Sequence, residues 1–168
     1  MLKLFKKKAV VAEIGVDEGV FTQSIVNTCH PAKLHLIDIW GTARYSEMKA
    51  SSVKEKFKNQ LMSGSVEITR KLSTDAAKDF EESYFDWIYI DTDHTYETTL
   101  CELYAFSEKV KKDGIIAGHD YSMGNWKSSF KYGVIEAVAE FCVKENWKIC
   151  FLSLDYTESP SFAITRIS

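Results

Sequence analysis

Acidic, imidazole and hydroxyl side chains crowd two short stretches of this 168-residue sequence, Asp91-Thr92-Asp93-His94-Thr95-Tyr96-Glu97 and His119-Asp120-Tyr121. Asp91 follows the largely apolar run FDWIYI. A carboxylate at the end of such a run must be hydrated, paired or bound to a ligand. Brought together, Asp91, His119 and Asp120 offer two carboxylates and an imidazole, a set that suits Mg²⁺ or another divalent cation. Such an ion orients substrate oxygens and helps to deprotonate a hydroxyl. The same residues allow metal-free chemistry, with His94 or His119 as general base. A purely structural, buried His119 is the third reading. The expected catalytic groups are Asp91, His94 and His119.

A third stretch, Glu13-Ile14-Gly15-Val16-Asp17-Glu18-Gly19, has the residues of a tight ligand-binding turn. Gly15 and Gly19 let the backbone turn sharply and approach a ligand closely. The dinucleotide pattern G-x-G-x-x-G is absent, because Asp17 stands where its second glycine must admit a pyrophosphate. A carboxylate there repels phosphate and suits a cation, and Glu13 adds a second negative charge. S-adenosylmethionine carries a sulfonium and an ammonium and no phosphate. Asp38 lies about 20 positions beyond the turn, where an acid commonly accepts hydrogen bonds from ribose hydroxyls. Ile39 or Trp40 would then pack on the adenine face. Ser73, Thr74 and Asp75 could reach the adenine edge, although Ser73 and Asp75 serve equally well as helix caps. The expected cofactor-binding residues are Glu13, Gly15, Asp17, Gly19, Asp38, Ile39, Ser73, Thr74 and Asp91.

These stretches work only if one scaffold brings them together. Residues 9–14, 34–39, 66–69, 85–90 and 115–117 read as short buried strands. Residues 20–27, 45–61, 73–80, 96–110 and 134–144 read as amphipathic helices between and after them. Residues 148–154 and 161–166 read as two final strands joined by a connection too short for a helix, hence an antiparallel hairpin. The alternation predicts an α/β, Rossmann-like, doubly wound seven-stranded sheet, mostly parallel, with an antiparallel terminal hairpin strand and strand order 3-2-1-4-5-7-6. Every chemical stretch named above follows a strand, and ligands bind such sheets at the strands' carboxyl ends.

Composition bounds the rest. The length suits a single domain over 1–168. A net charge of −3 leaves no electrostatic footprint for nucleic acid, and no apolar stretch is long enough to span a membrane. Lys6-Lys7-Lys8 reads as a solvated chain end. There is no secretory pattern. Cys29, Cys101, Cys142 and Cys150 form no C-x-x-C pair and read as buried free thiols of a cytoplasmic protein.

The run FDWIYIDTDHTYETTLCEL, followed by YAFSEKVKKDGIIAGHDY, resembles the class I S-adenosylmethionine-dependent methyltransferases. Within them it is most similar to the group of macrocin-type sugar O-methyltransferases and cephalosporin-hydroxylase-like proteins. The resemblance extends from about Val10 to Ile164. It implies that Glu13, Gly15 and Gly19 cradle the methionine part, that Asp38 binds the ribose and that Asp91 lies beside the sulfonium. It also implies metal at Asp91, His119 and Asp120, although many relatives carry an acid where His119 stands. Relatives often carry an N-terminal helical extension over the substrate. Here a lid is expected from residues 41–52, from a partner subunit of a homodimer or, preferably, from residues 118–132 with Trp126, Phe130 and Tyr132. The expected activity is O-methylation of a small-molecule hydroxyl, sugar- or natural-product-like. A nicotinamide-dependent oxidoreductase or a non-catalytic module on the same fold are the alternatives.

Overall fold

The computed structural model describes residues 1–125, 129–154 and 159–167; Trp126 and most of the last connection lie outside them. Five strands alternate with helices: β1 (Val10–Ile14), α1 (Val20–Cys29), β2 (Lys33–Ile37), α2 (Glu47–Lys56), α3 (Lys58–Met62), β3 (Val66–Thr69), α4 (Ser73–Ala76), β4 (Phe85–Ile90), α5 (Tyr96–Ser107) and β5 (Val110–Gly118). A small hairpin, β6 (Gly124–Asn125) and β7 (Phe130–Lys131), precedes α6 (Val134–Glu145), β8 (Trp147–Leu152) and β9 (Phe162–Arg166). The main sheet has seven strands in the order β3-β2-β1-β4-β5-β9-β8. With the separate hairpin set aside, that is the expected order. β9 runs antiparallel to both β5 and β8, and the other pairs are parallel.

Apolar strands build two cores, one on each face. Ile88, Ile90 and Ile116 pack with Leu103 and Phe106 of α5 and Val138 and Phe141 of α6. Val11, Leu34 and Leu36 pack on the other face with Ile25 of α1, Val53 of α2 and Phe57. Helices on both faces leave the carboxyl ends of the parallel strands as one open rim.

Four expectations change. The helix over 45–61 breaks at Phe57, which is fully buried and separates α2 from α3. The helix over 96–110 stops at Ser107, and β5 already begins at Val110. Asp113-Gly114, which reads as a turn from its residues, lies at an irregularity inside β5: Phe85 pairs with Val110 but Trp87 pairs with Ile115. The helix expected through Phe80 is only Ser73–Ala76 followed by a 3₁₀ turn, and no side chain caps it. Among the cysteines, Cys29 is buried, whereas Cys101 and Cys150 are exposed. Cys150 sits on the edge strand β8, which has a partner on one side only.

Candidate functional site at the carboxyl ends of the strands

The turn after β1 is braced from below and from the side. Gly15 has φ +85, and a Cβ there would stand 1.9 Å from the Asp91 carbonyl oxygen. The glycine thus lets the ends of β1 and β4 touch, and the Asp91 N–H donates to the Ile14 carbonyl at 2.7 Å. Gly19 (φ +68) starts α1, and a Cβ there would meet the Phe57 ring at 2.9 Å. The break at Phe57 therefore seats α2 and α3 beside the turn.

Asp38 is buried beneath this turn. Its Oδ2 accepts from the N–H groups of Val16 (2.8 Å) and Asp17 (3.0 Å), and its Oδ1 accepts from the Trp40 N–H (3.0 Å). The expected ribose acceptor already holds the turn in shape. Trp40 is 1% exposed and its indole N–H donates to the Asp17 carbonyl, so it cannot face an adenine. Ile39, 43% exposed, can. Asp17 meets a counter-charge with no local sequence signal: Lys49 of α2 reaches its carboxylate at 2.5 Å and Glu18 at 3.3 Å.

Glu13 is fully buried under the turn, where the Thr22 hydroxyl donates to it at 2.5 Å. Burial pushes its carboxyl up to about 8, so it is largely protonated at neutral pH. It supports the turn from inside, and its position predicts no direct reach to a ligand. Ser73 and Thr74 start α4 and are half-buried at the far end of the same rim. Glu102 of α5 lies behind them, fully buried, and accepts from the Thr92 hydroxyl at 2.8 Å. Burial pushes Glu102 up to about 7, against the pull of the Ser73 and Thr92 hydroxyls.

The ends of β4 and β5 converge as expected, with one change of partner. Ligand-type atoms of Asp91, His94 and Asp120 all lie within 4.8 Å of one another. His94 Nε2 is 3.0 Å from Asp120 Oδ2 and 3.8 Å from Asp91 Oδ1. His119, expected in this set, instead approaches Asp120 with Nδ1 at 3.4 Å. His94 takes its place because the chain at that residue turns left-handed (φ 63), as it does at Asp120 (φ 55). Such conformations are uncommon for residues other than glycine and concentrate at functional sites. Asp93 builds the same bend by accepting from the Thr95 N–H and the Thr98 hydroxyl. Burial raises the Asp91 carboxyl, opposed by His119 and His94. Burial also pushes Asp120 upward, but hydrogen bonds from His119 and Ser159 and the neighbouring His94 hold it below the usual carboxylate range. Tyr132, from the hairpin segment, lies over His94 with ring centroids 5.0 Å apart. Tyr45, before α2, lies beside Lys49, whose ammonium is 5.7 Å from its ring centroid and pairs with Asp17. Both candidate lid segments therefore flank the rim.

A sequence model of a methyltransferase domain matches residues 12–121, which carry the glycine turn, Asp38, Asp91, His94 and Asp120. The chain belongs to this methyltransferase-domain family. Its structure is that of class I methyltransferases, and membership supports S-adenosylmethionine-dependent methyl transfer as its chemistry. The tRNA methyltransferase TrmK of B. subtilis superposes with a TM-score of 0.70 at 12% identity, over 99% of this chain and 64% of that one. A SAM-dependent methyltransferase from Aquifex aeolicus gives 0.69 at 14% identity, over 98% and 86%. An O-methyltransferase family protein from Burkholderia thailandensis gives 0.69 at 12%, over 96% and 52%. At such identities the likeness is one of fold. No sequence among curated proteins matches. Among the described residues, no helix is long and apolar enough to cross a membrane.

Proposed function

We propose that this methyltransferase uses S-adenosylmethionine to methylate a hydroxyl of a small, sugar- or natural-product-like molecule, in the manner of the macrocin-type group. The observation that carries the reading is the contact of the two rims. Gly15 packs directly on the Asp91 carbonyl, so the turn that would hold the cofactor adjoins the Asp91–His94–Asp120 cluster. S-adenosylmethionine supplies an already activated methyl group, which leaves proximity, orientation and proton removal to the protein. In this reading the turn from Gly15 to Gly19 takes the methionine part. Asp38 adds a ribose hydroxyl to its three N–H partners, and Ile39, Ser73 and Thr74 bound the adenine.

Two carboxylates and an imidazole fit a divalent cation such as Mg²⁺, which would orient the acceptor oxygen and ease its deprotonation. Asp91, His94 and Asp120 would hold it, with His119 supporting Asp120. The contact of His94 with Asp120 favours a second, metal-free version, in which the carboxylate orients the imidazole as general base. The modest negative charge argues for an acceptor other than nucleic acid, and a cytoplasmic setting suits the free thiols. Calorimetry with S-adenosylhomocysteine, with and without Mg²⁺, tests the reading. Tight binding is expected, and no binding in either buffer would sink it. Tighter binding or faster turnover with Mg²⁺ selects the metal version.

A further inference from the structure

One acid sits behind the rims and not on them. Glu102 lies with Thr99, Leu103 and Phe106 on the face that α5 turns toward the core, and it is fully buried. Its Oε2 accepts from the Thr92 hydroxyl at 2.8 Å. Its Oε1 has no hydrogen-bond partner among the described residues. The Ser73 hydroxyl, where α4 packs against α5, is the second group that draws on the same carboxyl, and Asp93 adds a repelling charge. A buried carboxyl with an orphaned oxygen costs stability, and an apolar side chain of similar size avoids that cost. Core packing alone therefore does not account for an acid at this place. What the acid can act on are the two half-buried hydroxyls in front of it.

We infer that Glu102 is a positioning residue for base recognition: it draws the Thr92 and Ser73 hydroxyl hydrogens inward, so that Ser73 presents its lone pairs to the amino group of the cofactor's adenine. The inference rests on the methyltransferase reading, with Ser73 bounding the adenine, and adds how the base is told from others. A hydroxyl has one hydrogen to donate and two lone pairs. A carboxylate only accepts, so each hydroxyl it engages donates to it and is left as an acceptor on its outer side. Thr92 already stands in this state. The unpartnered Oε1 is the acceptor for the Ser73 hydroxyl. Above a pH of about 7 the carboxyl is mainly ionised, and both its oxygens accept. The amino group of adenine donates, whereas the carbonyl at the same place in hypoxanthine accepts. Lone pairs on Ser73 therefore attract the first and repel the second. Because Thr92 directly follows Asp91, the same carboxyl also ties the base-reading end of the rim to the strand end that carries the cluster.

The test is calorimetry at pH 8 with S-adenosylhomocysteine and with S-inosylhomocysteine, in which a carbonyl oxygen replaces the amino group. The unaltered protein should bind the first at least about tenfold tighter, as expected when a hydrogen bond is exchanged for facing lone pairs. Glu102→Leu should unfold at the parent's temperature or higher, yet reduce the preference to about twofold or less. Ser73→Ala should do the same, and the double variant should lose no more than either change alone. Glu102→Gln offers one acceptor for two hydroxyls and should lower the preference at least about threefold. Where Glu102→Leu fails to fold, Glu102→Gln and Ser73→Ala carry the same test. A folded Glu102 variant that keeps the parent's preference overturns the inference in favour of a structural brace. Equal binding of the two ligands by the unaltered protein overturns it as well, and additive losses in the double variant overturn the route through Ser73. If the unaltered protein binds neither ligand, the methyltransferase reading falls instead.

Discussion

The rim over β1 and β2 and the rim over β4 and β5 both gather acids, yet they treat them in opposite ways. At the first, Asp38 is held by three backbone N–H groups, Asp17 by Lys49, and Glu13 is protonated in the core. Partners of this kind keep their protons at any physiological pH, so the rim is a finished mould. At the second, Asp91 and Asp120 face two imidazoles, His94 and His119. On the proposed reading, that rim exchanges a proton or accepts a cation. On that reading, rigidity where a cofactor is to be recognised and acid–imidazole pairs where a bond is to be made divide the work between them.

Four changes would break or sharpen this contrast. The largest effect is expected at the junction of the rims: Gly15→Ala puts a methyl group on the Asp91 carbonyl. It should cost at least about 4 kcal/mol and leave little folded protein, as judged by thermal unfolding. Next, Asp120→Asn should lower turnover by about 10²–10⁴-fold while S-adenosylhomocysteine affinity stays within twofold or so. A large loss of cofactor affinity there would erase the proposed division of labour. Third, Asp38→Ala leaves three turn N–H groups without their acceptor and should cost about 2–4 kcal/mol of stability as well as cofactor affinity. If affinity fell with stability untouched, Asp38 would be a ribose ligand alone and not a brace.

The last change concerns Glu13, and its sign is specific. Its folded value is about 8 against 4.5 for the free group. A raised carboxyl contributes its full stability below about 4.5 and loses it as pH rises through 8. Wild-type protein should therefore weaken across that window, whereas Glu13→Gln should not. At the upper end the variant should be the more stable by roughly 2–4 kcal/mol in denaturant titrations.

The sheet was legible in the chain because its strands are short apolar runs separated by amphipathic segments, and strand order followed from the helix-free final connection. Where local and long-range signals conflict, the chain misleads. Asp113-Gly114 has turn chemistry, but pairing of the flanking residues with β4 keeps it within a strand. Residues 45–61 have helical periodicity, but burying Phe57 against Gly19 breaks the helix. The site residues were legible by type and by their place after strands. Their partners were not: Lys49 lies 32 positions from Asp17, and no local pattern joins them. The exchange of His94 for His119 depended on two left-handed residues, His94 and Asp120, neither of them a glycine. Trp40 looked like an adenine platform and is instead a buried strut. Two of the four cysteines expected to be buried are exposed, because Cys101 lies on the outer side of α5 and Cys150 on the edge strand.

Gly15 and Asp91 are in contact with no side chain between them, so the spacing of the two rims is set by backbone alone. That spacing cannot be adjusted by exchanging one side chain for another. A protein constrained in this way can change what it modifies only by remodelling the surroundings: α1's outer face, the hairpin and the segment before α2. The reaction coordinate is then a fixed length in the scaffold, and variety in acceptors is a property of the walls around it.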